Sequence, residues 1–423
     1  MSSHKDLDMR VVVLGAGLLG VTSAYYLQQL GHEVTVVDRH ATPAAKARGR
    51  VAPQGGAPTP QCSGADSTGT GSTLGRWAKL RAGMRRHVSR LVDRAIGARP
   101  QRDPREHLVR LAAYSRKSAR VLREEGGLPQ GSRVGGLLNV FTCAEAFGAR
   151  LARAPHWSEL GCEEQLFSAD DAIRMEPALL AMRAKLAGAT YSVEDPARDP
   201  AQFAASLVFM CRAAGVRFLT KHTVVSLKDR DGRIDRVELL DPAGQPMTLR
   251  AQAYVLALGA SSVPHAEYLG VDMPLRFVRE YIVTIPVKDA SRAPRVALRD
   301  VQGKLRITRI ETPEGDQLRV TATVRAGLEE DREPDSDRFD AILRRVEKLL
   351  PGAADTARAS LATEMHAVST NRLPMIGKTR LPNLFLNTAP GTPSWITALG
   401  AGKSIARIVS GLRPELQFAF RSL

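Results

Sequence analysis

Cysteine is scarce in this chain of 423 residues, and Cys62, Cys143, Cys162 and Cys211 are widely spaced with no C-x-x-C pair among them. That spacing excludes a zinc ribbon and a redox dithiol, and four scattered thiols fit a reducing cytoplasm. No stretch of about 18 uninterrupted apolar residues occurs, so a spanning helix is not expected. His4, His222 and His265 have no carboxylate or cysteine at ligand spacing, and no metal is expected. Gly402-Lys403-Ser404 looks like the end of a phosphate-binding loop, but Thr397 stands where that loop needs its earlier glycine. Hydrophobic residues make up 43% of the chain, ordinary for a globular protein, and the length suggests two or three domains.

Acidic residues are also in deficit, 44 against 60 Lys and Arg, for a formal net charge of +16. The excess is concentrated in residues 76 to 123, where fifteen basic residues face three acidic ones, a net +12. Within it Trp77, Leu80, Met84, Val88 and Leu91 recur every three or four residues. Such a segment is either an Arg-rich solvated helix with its stripe packed on the core, or an amphipathic helix on an anionic membrane surface. Aromatic interleaving and nucleic-acid fold signatures are missing, so no nucleic acid partner is expected.

What the chain does have is a complete βαβ signature over residues 10 to 39. Arg10-Val-Val-Val-Leu14 runs into Gly15-Ala-Gly17-Leu-Leu-Gly20, an apolar helix pattern closed by Gly31, and Glu33-Val-Thr-Val-Val-Asp38. Gly15 permits the tight turn, Gly17 lets the backbone approach a pyrophosphate, and Gly20 lets the helix press on the strand. The helix N-terminus then faces the phosphates. Asp38 sits 18 residues after Gly20, near the spacing expected for a carboxylate on the adenosine ribose. The motif alone admits FAD, NAD or NADP. Arg39 would suit NADP, but Asp38 would repel a 2′-phosphate. The N-terminal basic residues and apolar run mimic a secretory signal, and the βαβ unit explains more of the pattern, Asp38 included.

Residues 41 to 75 read as a long loop rich in Gly, Pro, Ser and Thr. Helical patterns fill about 76 to 125, and Gly135 to Phe141 reads as a strand. A nucleotide-domain style returns with a helix over Phe203 to Ala214, strands at Gly215 to Thr220 and His222 to Leu227, and the buried strand Ala253 to Gly259. Alternating strands follow, including Arg279 to Ile285, Leu305 to Arg309 and Leu318 to Ala322, then a helix over Asp337 to Leu350. Asn383 to Thr388 is a strand leading through a Gly-rich turn to a last helix. The expected architecture is α/β with an α+β second domain. A Rossmann-like unit is built from 9–75, 195–265 and 361–415, and an antiparallel-sheet substrate domain from 76–194 and 266–360 is interleaved with it.

The chain resembles the FAD-dependent amine and amino-acid oxidoreductases, and more closely the bacterial D-amino acid dehydrogenases. The resemblance rests on Arg10 to Asp38, Leu108 to Arg116, Glu176-Pro-Ala-Leu, Tyr254 to Gly259, Tyr281-Ile-Val-Thr-Ile-Pro286, and Leu384 to Thr388 through Gly391-Thr392 and Trp395. It implies non-covalent FAD as cofactor and oxidation of a D-amino acid to an imino acid, with hydride passing to the flavin N5. The imino acid would be hydrolysed to a 2-oxo acid and ammonia, and electrons would leave to a membrane quinone or another electron-transfer acceptor. The flavin carries the redox chemistry, so no acid and base pair need be found. The residues implied at the cofactor are Val12, Leu14, Gly15, Ala16, Gly17, Leu18, Leu19, Gly20, Asp38, Arg39, Gly49, Val224, Gly259, Gly391 and Thr392. The helix starting near Trp395 would place N–H groups at the flavin pyrimidine edge, where they favour the charge of reduced flavin.

The departures from the family pattern fall in the substrate site. A Gly-x-Arg-Pro turn, expected to hold the substrate carboxylate, is Glu364-Met-His366-Ala367 here. Gly-His-Gly-Thr becomes Ala389-Pro390-Gly391-Thr392, Asn-Ala-Gly-Gln becomes Ala47-Arg48-Gly49-Arg50, and Lys-Gly-Tyr becomes Arg279-Glu280-Tyr281. Arg48, Arg50 or Arg279 would then replace the missing cation, Tyr281 would bond a substrate carboxylate, and His366 would pair with one when protonated. Tyr281, Arg279, His366 and Trp395 are therefore the catalytic candidates. The alternatives are an enzyme of the same fold acting on another primary or secondary amine of glycine or sarcosine type, and a flavin-binding protein with weakened turnover. A cytoplasmic protein is expected, with peripheral association to the inner membrane face if the basic segment meets lipid.

Overall fold

A strand that is apolar at every position must be covered on both faces, and Val11 to Leu14 meets this requirement in the structure. The structure is a computed structural model that describes residues 8–43, 103–126, 136–193, 200–312, 314–325, 336–388 and 394–421. The strands β1 (Arg10–Leu14), β2 (Glu33–Asp38), β6 (Arg217–Thr220), β10 (Ala253–Leu256), β16 (Met375–Lys378) and β17 (Leu384–Thr388) form one sheet, in the order β16-β17-β10-β1-β2-β6. It is parallel except for β16. Val11 and Val13 point to a core shared with the helices α1 (Leu18–Gln29), α5 (Pro200–Ala213) and α8 (Ser394–Val409). Val12 and Leu14 point to the opposite core, under a three-stranded antiparallel sheet of β7 (Thr223–Arg230), β8 (Arg233–Leu240) and β9 (Pro246–Leu249).

Helix α2 (Pro104–Gly126) lies on α8 with Val109, Leu111, Ala119 and Leu122 buried, while Lys117 and Arg120 face solvent. The described part of the basic segment is therefore a solvated helix packed on the core; its stripe from Trp77 to Leu91 lies outside the described residues. Close approach is what the glycines of α8 provide. A Cβ on Gly402 would fall 2.7 Å from the Thr22 backbone of α1, so the loop-like Gly402-Lys403-Ser404 is a helix contact. Among the described residues no helix is long and apolar enough to cross a membrane.

The second sheet has the order β15-β11-β14-β13-β12-β3-β5-β4. Its strands are β3 (Gly136–Phe141), β4 (Gln165–Phe167), β5 (Gly188–Val193), β11 (Leu275–Pro286), β12 (Ala297–Asp300), β13 (Leu305–Thr312), β14 (Gly315–Arg325) and β15 (Ser360–Ser369). It is mixed rather than wholly antiparallel, because β12 pairs parallel with β3. β15 pairs with β11, so residues 361–369 sit in this sheet and not with the nucleotide-binding strands. One face carries Tyr281, Val283 and Ile285 with Leu318, Val320 and Ile307. It is covered by α4 (Ala169–Met175), the 3₁₀ segment Pro177–Lys185 and α7 (Ser336–Leu349), whose Ile342, Val346 and Leu349 recur at helical spacing. Helix α3 (Ala144–Glu159) covers the other face at the β3 and β5 end, and α6 (Ser262–Tyr268) follows β10.

Ile405 is fully buried where α8 meets the parallel sheet. Ile405→Ala is expected to cost about 2–5 kcal/mol, read as a lower urea midpoint at unchanged slope.

Candidate functional site

The turn from β1 into α1 is built by contacts that admit no side chain. Gly15 has φ +106° and its N–H donates to the Val37 carbonyl at 2.8 Å. A Cβ on Gly15 would lie 2.5 Å from the Ala257 carbonyl oxygen, and one on Gly20 would lie 1.7 Å from the Gly15 carbonyl oxygen. Gly17 differs from both. Its φ is an ordinary −68°, it caps α1 with no side-chain bond, and a Cβ there would meet nothing within 4 Å. No acid sits in the first turn of α1. The N-terminus of α1 is thus an uncapped set of N–H donors facing open space, which is what a pyrophosphate needs.

Asp38, at the end of β2, closes the other side. Its Oδ2 accepts from Ala16 N–H at 2.7 Å, and its Oδ1 accepts from His40 N–H at 2.8 Å and lies 2.7 Å from His40 Nδ1. Those bonds hold the carboxylate beside the glycine turn and leave acceptor capacity for a ribose hydroxyl. The expected Arg39 is exposed between them. His222 N–H donates to the Asp38 carbonyl at 3.0 Å, which ties Val224 to this end of the sheet, and the β7–β8 register shifts between Val224 and Ser226.

At the carboxyl end of β10, Gly259 has φ +65°. Its carbonyl accepts from Thr388 Oγ1 at 3.1 Å, and Thr388 Oγ1 lies 3.2 Å from Ser262 Oγ. Strand β15 packs on this turn. Both features lie where open parallel sheets bind ligands, outside the strands' carboxyl ends. Gly49, Gly391, Thr392 and the loop arginines Arg48 and Arg50 lie outside the described residues. Trp395 stands in the first turn of α8, and its side chain also lies outside the description.

The second sheet separates the remaining candidates. Successive strand residues alternate faces, so Arg279 and Tyr281 lie on the helix-covered face, Tyr281 only 5% exposed within the apolar core. They do not share a wall with His366, which corrects the expectation that all three meet one substrate. On the opposite face Val278 pairs with His366, and Glu280 with Glu364. His366 Nε2 is 2.9 Å from Glu280 Oε2 and 3.8 Å from Glu364 Oε2. Two carboxylates at this point repel an α-carboxylate rather than hold one, so His366 is engaged by Glu280 instead. Glu280, Glu364 and His366 bring three ligand-type atoms within 4.8 Å of one another, a convergence hidden by 86 residues of separation. Arg319 of β14 already answers their charge. Burial pushes its guanidinium below the ordinary value, while Glu364 and Glu280 act in the opposite direction.

Comparison with known proteins bears on this geometry. The family model described as FAD dependent oxidoreductase matches residues 10–408. The D-amino acid dehydrogenase of Dechloromonas aromatica (strain RCB) is 32% identical over 427 residues, covering 97% of this chain and 99% of that protein. The D-amino acid dehydrogenase of Rhizobium johnstonii is 32% identical over 423 residues, covering 96% of this chain and 97% of its own. Among solved structures, L-proline dehydrogenase from P. horikoshii has TM-score 0.69 at 17% identity, covering 96% of this chain and 94% of that one. Glycine oxidase from Geobacillus kaustophilus has TM-score 0.66 at 20% identity, with 97% of each chain covered. The two structures share the fold.

FAD is the dinucleotide these matches specify, and the residues present fit it: an uncapped helix N-terminus, a glycine with open space, and a held carboxylate. Gly17→Ala is expected to leave the fold intact, because its Cβ meets no protein atom, but to weaken FAD retention about tenfold or more. Gly20→Ala should instead lower the melting temperature of the protein stripped of flavin. Equilibrium dialysis of FAD and thermal unfolding of both variants separate the two effects.

Proposed function

This chain belongs to the FAD dependent oxidoreductase family, and from that premise we propose that it oxidises the C–N bond of an amino acid, D-amino acids foremost, yielding a 2-oxo acid and ammonia after hydrolysis. The observation that carries the proposal is the pairing of the dinucleotide cradle at Gly15, Gly17, Gly20 and Asp38 with a polar sheet face abutting the Gly259 turn. The flavin, when bound, supplies the redox chemistry. The protein's own contribution is orientation. The N-terminus of α1 and Asp38 hold the adenosine end, Val224 lines it, and Gly391, Thr392 and the start of α8 at Trp395 serve the flavin ring. The polar face of the second sheet, toward its β15 edge, forms the substrate wall, with His366 and Glu280 bonded to each other upon it.

A second reading is favoured by one observation, the carboxylates Glu280 and Glu364 where the resemblance expects a cation. It is a flavoprotein of the same fold that acts on another amine or turns over weakly. Electrons are proposed to leave to a membrane quinone or another carrier, and the basic segment 76–123 to meet an anionic membrane surface from the cytoplasmic side.

The visible flavin band of the anaerobic protein is expected to bleach with D-amino acids and not with their L-enantiomers. Bleaching by amines alone supports the second reading, and a flavin that none of them bleaches supports weakened turnover. Flotation with phosphatidylglycerol vesicles is expected to carry the protein at low salt and to release it at high salt; binding indifferent to salt or lipid charge would remove the membrane proposal.

A further inference from the structure

Side-chain donors gather behind the first turn of α1, in a core that is otherwise aliphatic. The first intrahelical bond of α1 runs from Val21 N–H to the Gly17 carbonyl at 2.9 Å. The N–H groups of Leu18, Leu19 and Gly20 lie ahead of it, and they are the donors that open toward a pyrophosphate. Each of them shares a planar peptide unit with the carbonyl of the residue before it. The Leu18 carbonyl stands behind Leu19 N–H, and Thr22 Oγ1 lies 2.9 Å from it and 3.0 Å from the Ala398 carbonyl of α8. The Leu19 carbonyl stands behind Gly20 N–H and accepts from Ser23 Oγ at 2.6 Å, with Asn387 Nδ2 at 3.4 Å.

Asn387 of β17 reaches this turn from the far end of the chain. It is fully buried, as are Thr22 and Ser23, and its Nδ2 donates to Ser23 Oγ at 2.8 Å. The bonds therefore run in sequence from Asn387 through Ser23 to the Leu19 carbonyl, and each polarises the next. Hydroxyls that bond the carbonyl four residues back bend a helix, and a donor outside the helix sets where that hydroxyl points. The Oδ1 of Asn387 is buried with no donor among the described residues. A half-satisfied amide in an aliphatic core costs stability relative to an apolar side chain of the same size, so packing does not account for Asn387. What the amide supplies is direction, because it aligns Ser23 Oγ on the Leu19 carbonyl and so fixes the tilt of the Leu19–Gly20 peptide.

We propose that Asn387 is a positioning residue for FAD, acting through Ser23 and the Leu19–Gly20 peptide to aim the N–H donors of α1 at the pyrophosphate. The inference is independent of which amine is oxidised and needs only that FAD sits on the turn from β1 into α1. It makes the end of β17 part of the nucleotide cradle, although β10 stands between β17 and β1 in the sheet.

The test reads cofactor binding in the full chain and needs no turnover, so it stands whether or not any amino acid is oxidised. Equilibrium dialysis is expected to show FAD held about fivefold more weakly by Asn387→Leu, which keeps the volume and removes the donor. Ser23→Ala should weaken FAD to a like extent, and the double variant should be no weaker than the weaker single, because the two residues act in one sequence of bonds. ADP, which carries the adenosine and the pyrophosphate without the flavin ring, should lose affinity in parallel. The melting temperature of flavin-free Asn387→Leu should hold. Ile405→Ala is the control, since it destabilises the same core away from this turn and should bind FAD as the parent does. If Asn387→Leu does not fold, Ser23→Ala decides with the same two ligands. The proposal is overturned if the variants hold FAD as tightly as the parent while their melting temperatures fall, if their losses add in the double variant, if ADP is unaffected, or if Ile405→Ala loses FAD to the same extent.

Discussion

The contact between the Gly15 carbonyl and Gly20 sets the geometry of the nucleotide-binding half. Because nothing larger than hydrogen fits at Gly20, helix α1 starts directly over the end of β1, and its free N–H groups open at the edge of the sheet. Asp38 can then bridge to Ala16 N–H, so the second strand and the turn become one rigid unit. The same demand for close approach recurs at Gly402 against Thr22, where α8 is pressed onto α1. A site made of backbone donors tolerates little slack, since the donors cannot reorient as side chains do.

The second half depends on a different constraint, the two-residue period of a strand. One face of the mixed sheet buries aliphatic side chains beneath α4, α7 and the 3₁₀ segment, and the other gathers His366, Glu280, Glu364, Arg319, Arg306 and Arg299. A one-residue slip in register would exchange the two sets and bury the charges. That cost ties the stability of the domain to the polarity of the face presented to the nucleotide-binding unit. It also explains why Tyr281, adjacent in sequence to Glu280, has no part in the same wall.

Charge on that face is segregated. Carboxylates sit toward the β15 edge, where Arg319 compensates them, and guanidinium groups gather toward β12 and β13, where Glu164 acts on Arg299. The basicity of residues 76 to 123 is separate from this. In the described part of that segment Lys117 and Arg120 of α2 face solvent while Leu111, Ala119 and Leu122 pack into the core shared with α8, so those two charges add to the field around the protein rather than to its fold.

The nucleotide-binding unit was legible in the sequence because its determinants are local. Glycine spacing, an apolar strand and an acid at the end of the next strand all fall within thirty residues, and each acts through backbone geometry that residue type alone constrains. The strands at Ala253–Leu256 and Leu384–Thr388 and the helix Ser336–Leu349 were readable for the same reason, from burial pattern and period. The assignment of β15 to the second sheet, the mixed direction of that sheet, and the separation of Tyr281 and Arg279 from His366 were not. They depend on pairing partners and on which face receives helices, and both are set by contacts between distant segments. The meeting of Asn387 with Ser23, and of Glu280 with His366, belongs to the same class. Residue order determined the dinucleotide chemistry, whereas register and packing alone decided which charges stand together over it, because a side chain's neighbours across a sheet are fixed by strand pairing and not by proximity along the chain.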